Sequence, residues 1–203
     1  MWYWVFYLVV IFAGLAMTVR EGLWSNTITL LSIIISGLVA FGFYSPIVIY
    51  LDEMADGEHT YWLDFAVIWV LYAATIVICR VATGSASKSR MRFKNPIDPV
   101  GGPLVGLIAA WVLAGFTLAT LHTSPMPKDA FSGQLVSQTD VESASRIFSP
   151  DAAWLRFVDR MSAPTALGSA STQDFGAKAW VKIYADRRAA FEKASTFIVD
   201  RGG

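Results

Sequence analysis

Hydrophobic and polar positions fall in blocks along the chain. Met1–Val19 carries no charge, and Arg20-Glu21 then interrupts the run. Ile28–Leu51 is apolar, followed by the acidic stretch Asp52-Glu53-Met54-Ala55-Asp56-Gly57-Glu58-His59. Tyr61–Ala82 is apolar except for Asp64 and Arg80, and Gly102–His122 is uncharged throughout. Runs of this length match about 30 Å of hydrocarbon when coiled as helix. Helices also satisfy their own backbone groups in lipid. The pattern predicts an all-α fold: a four-helix integral membrane domain over residues 1–122, with spans near 2–19, 27–51, 62–82 and 102–122. The first run is predicted to be a retained helix. Trp2, Tyr3 and Trp4 stand where a signal peptide would carry basic residues, and no small-residue cleavage site follows.

Charge separates the rest of the chain from this domain. Thirteen charged residues lie between Met1 and His122, and nineteen between Thr123 and Gly203. Residues 123–203 are therefore expected to form a water-exposed, partly helical tail. Lys128–Arg146 is polar and reads as irregular. Ser149-Pro150-Asp151 combines a cap, a first-position proline and a first-turn acid, which predicts a helix over about 150–162. Its Trp154, Phe157, Val158 and Met161 share one face, suited to a membrane surface or to a partner. After the linker Ala163–Gly176, a second amphipathic helix is predicted over about 177–199. Trp180, Tyr184, Phe191 and Ile198 form its apolar side; Asp186, Arg187, Arg188, Glu192 and Lys193 form its solvated side.

Small residues recur at intervals of four inside two spans. Gly102, Gly106, Ala110 and Ala114 form one stripe, and Ser32, Ser36 and Ala40 another. Stripes of this kind let helix backbones approach closely in lipid. They are expected to face other helices, within the subunit or across a homo-oligomer, with the serine stripe as counterpart of the glycine one. Gly42, Ser45 and Pro46 predict a kink near the far end of the second span.

Net charge is zero, which gives no basis for nucleic-acid binding. The distribution of Lys and Arg bears instead on orientation. Arg20 in the first connection and Arg80, Lys88, Arg90, Arg92 and Lys94 at the third outnumber the single Lys128 near the tail's start. Cytoplasmic loops collect such residues, so both termini are expected on the non-cytoplasmic side. Lys88, Arg90, Arg92 and Lys94 read first as topology-setting charge, and second as a strip touching anionic headgroups.

Candidate chemistry is sparse. Asp64 is an acid about one turn inside the third span, where a helix-start or interface role competes with transport. Cys79 stands alone in an apolar run and reads as a packing thiol. His59 and His122 end segments at one surface, where a meeting would form a pH-sensitive pair. The sequence contains no phosphate loop, zinc-protease helix, nucleophile elbow or Cys-x-x-Cys. No catalytic residue, metal site or cofactor is expected, and the chain reads as a non-enzyme.

Two segments carry a resemblance. Arg20-Glu21-Gly22-Leu23 lies between the first two spans, and Asp98-Pro99-Val100-Gly101-Gly102-Pro103-Leu104-Val105-Gly106 opens the fourth. With a long basic connection before the second motif, the first 122 residues resemble the colicin V production protein (CvpA) family. Trp24-Ser25-Asn26 depart from the basic-acidic pair with which that family enters its second helix. The resemblance implies a non-enzymatic, multi-pass protein of the bacterial inner membrane, linked to colicin V toxin production or export and envelope homeostasis. Implied partners are the lipid bilayer, further copies of the chain, and export or envelope proteins. A small channel or transporter subunit built around Asp64 is the alternative.

Overall fold

The computed structural model describes residues 2–19, 21–54, 60–86, 97–127, 131, 133–145, 148–164, 166 and 175–194. Every regular element among them is helical: α1 (Trp2–Thr18), α2 (Leu23–Met54), α3 (Thr60–Ala86), α4 (Ile97–Thr120), α5 (Pro150–Ser162) and α6 (Ala177–Ala194). A single 3-10 turn, Leu121–Thr123, extends α4. Helices α2, α3 and α4 are long and apolar enough to cross a membrane, and α1 is a shorter apolar helix of 17 residues.

Helix α4 is the axis, in contact with α1, α2 and α5. Asp98 at its start meets Leu23 at the start of α2, so these two helices run parallel. Gly14 faces Ala110 and Thr18 faces Gly106, so α1 runs the opposite way. Helix α3 returns alongside α2. The bundle thus has a motif end, where α1 finishes and α2 and α4 begin, and a tail end, where α1 and α3 begin and α4 finishes.

Tail helices α5 and α6 are docked on the bundle. They bury their apolar sides on the tail end of the bundle, in one core with α2, α3 and α4. The Trp154 ring lies against Gly37 and edge-on to Phe116 at 5.7 Å. Phe41 collects the rings of Tyr44, Phe116, Trp154, Phe175 and Trp180 around itself. Aromatic pairs in such edge-on and tilted arrangements each add about 0.5–1.5 kcal/mol beyond the area they bury. The second apolar face of the sequence is therefore an internal one. Phe191's side chain and Ile198 fall outside the described residues.

Element boundaries differ from the sequence expectation in instructive ways. Helix α2 starts at Leu23 instead of 27, so Trp24-Ser25-Asn26 is helix and not turn. It continues through Pro46 to Met54, beyond the level of α4's last turn. Helix α4 takes in Ile97-Asp98-Pro99 as its first turn. Ser149 precedes α5 but makes no side-chain cap bond. Cys79 is half-buried, on the half of α3 where Val77, Ile78 and Val81 are exposed.

Candidate functional site

The two sequence motifs meet at the motif end. Glu21-Gly22-Leu23 and Asp98-to-Gly106 form one joint between α1, α2 and α4; Arg20 lies outside the described residues. The Asp98 carboxylate accepts the Leu23 backbone N–H at 2.8 Å. It thereby caps the N-terminus of α2 from a neighbouring helix, where a negative charge also suits the helix dipole. A methyl group added at Gly22 would stand 3.1 Å from both Asp98 carboxylate oxygens. A Cβ there would require the carboxylate to give way by a few tenths of an ångström.

Asn26, wholly buried, completes the joint. Its Nδ2 donates to Gly102 O at 2.8 Å, Thr18 O at 3.0 Å and Glu21 O at 3.4 Å. Thr18 O belongs to the last turn of α1, whose final carbonyls lack intrahelical donors. One amide thus ties three segments together. Asn26 sits in the stretch where the sequence departs from the family pattern.

The glycine stripe of α4 faces α1 and this joint. A Cβ at Gly106 would lie 2.8 Å from Thr18 Oγ1, and one at Gly102 3.1 Å from Glu21 O. Gly14 matches it from α1, with its missing Cβ 2.8 Å from Ala110 Cβ. Ala114 is fully buried. The near neighbours of Gly102 and Gly106 are thus Thr18, the turn and Asn26, not the Ser32–Ser36–Ala40 stripe. Those three α2 residues are buried as well, Ser32 beside a crevice described below. Gly14 and Thr18 share the four-residue spacing of the other stripes, which was the overlooked signal.

The tail end is held by ionic and aromatic groups. Asp64 is only 4% exposed and pairs with Arg187 of α6. The partner makes it an interface group between α3 and α6. Beside it, Trp180 Nε1 donates to Tyr44 Oη at 2.7 Å, and Tyr184 Oη to Tyr44 Oη at 3.4 Å. Burial, reinforced by Tyr44 and Asp64, pushes the Tyr184 phenol far up, so it stays a neutral donor.

A second cluster joins α1, the 3-10 turn, the following loop and α5. Asp151 accepts from Tyr3 Oη at 3.3 Å and from Val136 N–H at 2.9 Å, and its Oδ2 lies 3.2 Å from His122 Nε2. All three side chains are buried. Burial alone raises the Asp151 carboxyl. Hydrogen bonding and charge from His122, with the Val136 and Ala152 amides, outweigh it and hold the group below the usual carboxylate range. His122 is therefore placed against Asp151; His59, its expected counterpart, lies outside the described residues, as do Lys88, Arg90, Arg92 and Lys94.

From the motif end toward the middle of the bundle, a crevice of about 520 Å³ opens among α1, α2, α3 and α4. Ile33, Tyr72 and Leu113 line its apolar part, and Glu21, Arg80 and Thr83 its polar part. No group of three or more His, Cys, Asp or Glu that could hold a metal ion occurs among the described residues. What the arrangement does chemically is bind helix to helix.

The colicin V production protein family model matches residues 4–145. No curated protein and no solved structure matches the chain. The match extends past α4 into the loop that supplies Val136 to the Asp151 cluster. Joined motifs, apolar helices and this match over more than half of the sequence place the chain in one family: it belongs to the colicin V production proteins.

Proposed function

We propose that this chain supports colicin V production or export, and envelope homeostasis more broadly, as a non-catalytic multi-pass protein of the bacterial inner membrane. The observation that carries the reading is the motif joint. The residues that mark the family, Glu21, Gly22, Asp98, Gly102 and Gly106, are spent on seating three helix ends against one another. Their role is to fix a membrane scaffold, on which export or envelope proteins assemble. The bias of Lys and Arg supports an arrangement with the motif end cytoplasmic and the tail outside, to be tested by a reporter fused after Gly203. Homo-oligomers fit the exposed apolar side of α3, since the glycine stripe is occupied within the chain. Native mass measurement in detergent decides the copy number.

Complementation tests the function. Cells lacking their own family member and carrying the colicin V genes should regain toxin release with the intact chain. Asn26→Leu should fail although the protein still reaches the membrane. Full release from a chain with a broken joint would overturn the scaffold role.

The crevice favours a second reading, a small channel or transporter subunit. Arg80 and Glu21 would then receive a polar group while the apolar wall holds the remainder of the solute. Solute flux into liposomes that falls with Arg80→Gln would favour it. Asp64→Asn is the weaker probe, because Arg187 occupies that carboxylate.

A further inference from the structure

The crevice among α1, α2, α3 and α4 carries charges of both signs, and only at one end. Glu21, Ser25, Arg80 and Thr83 line it toward the motif end, whereas Ile33, Tyr72 and Leu113 line it farther into the bundle. From Ser25 to Ile33 on α2, and from Arg80 back to Tyr72 on α3, is about 12 Å of helix in each case. The polar and apolar walls therefore follow one another along the bundle axis, in the same order on both helices.

Shape and charge decide what fills it. Helices α1 and α3 share an apolar cluster at the tail end, where Phe65 packs with Tyr3, Leu118 and Leu121. Toward the motif end they flank the crevice instead, with Met17 of α1 on one side and Arg80 of α3 on the other. Both of these side chains are exposed. The crevice is thus a slot open sideways between two apolar helices, not a closed chamber. Among the described residues, neither the Glu21 carboxylate nor the Arg80 guanidinium has an ion-pair partner. The hydrogen bonds at Glu21 and Arg80 use backbone atoms only. An anionic occupant would bring Glu21 its own sign, and a cationic one would do the same to Arg80. A neutral one would meet neither charge. A molecule with an ammonium beside a phosphate, on an apolar body, meets both charges and the apolar wall. The sideways opening fits a body that runs on beyond the slot, as an acyl chain does.

We propose that this crevice holds one zwitterionic phospholipid with a primary ammonium. The ammonium donates to the Glu21 carboxylate, the phosphate accepts from Arg80, and an acyl chain lies against Ile33, Tyr72 and Leu113. The lipid fills the gap between α1 and α3 at the end where the slot separates them. The inference is independent of the toxin-export reading, and it competes with the solute reading of the same crevice.

Native mass spectrometry of the full chain in neutral detergent tests it. The probes are the dioleoyl forms of phosphatidylethanolamine, phosphatidylcholine and phosphatidylglycerol. Choline has no N–H to donate, and glycerol has no ammonium. The intact chain should therefore retain phosphatidylethanolamine at concentrations about tenfold lower than either, the worth of one charge-assisted hydrogen bond. Glu21→Gln should erase that preference. Arg80→Gln should weaken all three lipids, since each presents a phosphate. Excess dileucine, which carries both charges without acyl chains, should displace none of them. Equal retention of the three lipids by the intact chain overturns the proposal, and so does an unchanged preference in Glu21→Gln. Displacement by dileucine overturns it too, and marks the crevice as a solute site. Neither substituted side chain holds a partner among the described residues, so neither variant removes a contact that the fold depends on.

Discussion

The motif end and the tail end solve the same problem with opposite materials. At the motif end the helices touch backbone to backbone: Gly14 on Ala110, Gly106 on Thr18, Gly102 on the turn. Little side-chain volume is present, so contact distance and a few hydrogen bonds do the holding. At the tail end α2, α3 and α4 carry the buried rings Phe41, Tyr44, Tyr72 and Phe116. The spaces between are filled from outside by Trp154 of α5 and Trp180 of α6. Small residues close a membrane bundle by themselves, whereas large aromatic ones require a second layer. In lipid, where apolar association gains little from leaving the solvent, both solutions rest on packing and polar links.

This contrast is broken most severely at its largest buried filler. Trp154→Ala should cost about 4 kcal/mol through the cavity it leaves between Gly37 and Phe116. Thermal unfolding in detergent, followed by the tail's near-UV signal, measures it. Gly106→Leu should cost about 3 kcal/mol by forcing α4 off Thr18 and Asn26. Leu107→Ile, on the exposed neighbouring face, should change stability by less than about 0.5 kcal/mol. Equal melting temperatures for the two variants would mean that the stripe is no interface. Asn26→Leu should cost about 2 kcal/mol, because three carbonyls lose a shared donor.

Smaller effects sharpen the tail end. Asp151 titrates below its ordinary range, so its contribution is complete above the usual carboxylate pKa of about 4 and is lost as pH falls through the lower folded value. Acidification below about pH 4 should loosen α5, and Asp151→Asn should remove that dependence while lowering stability at pH 7. Intrinsic tryptophan fluorescence against pH reads both. A double-mutant cycle on Asp64→Asn and Arg187→Gln should give a coupling of about 1 kcal/mol, modest because Arg187 is partly exposed.

How much of this was legible in the sequence follows the same division. The presence of long apolar helices was, because charges interrupt each run, although their ends shifted by several residues. The two motifs and the glycine stripe were, because glycine at fixed spacing has a geometric meaning. Their convergence was not: that Asp98 caps Leu23 rather than its own helix depends on α2 and α4 running parallel, a three-dimensional fact. Asn26 fell just before the predicted second span, and an asparagine there can cap a helix as well as bridge to another one. Asp151 looked like a first-turn acid for a similar reason, and nothing local points to His122 or Tyr3. Trp154 and Trp180 were visible as apolar faces, but an amphipathic pattern names no partner. The lipid, another protein and the chain's own bundle all satisfy it.

Separability of the two ends is the central claim, and hydrogen–deuterium exchange in detergent tests it most directly. Asn26→Leu should raise exchange around residues 14–30 and 98–106 while leaving the amides of α5 and α6 protected as in the intact chain. Asp151→Asn should do the reverse, exposing α5 and the loop around Val136 and sparing the motif joint. If either substitution raises exchange across both ends together, the bundle is a single cooperative unit and the division between them is contradicted.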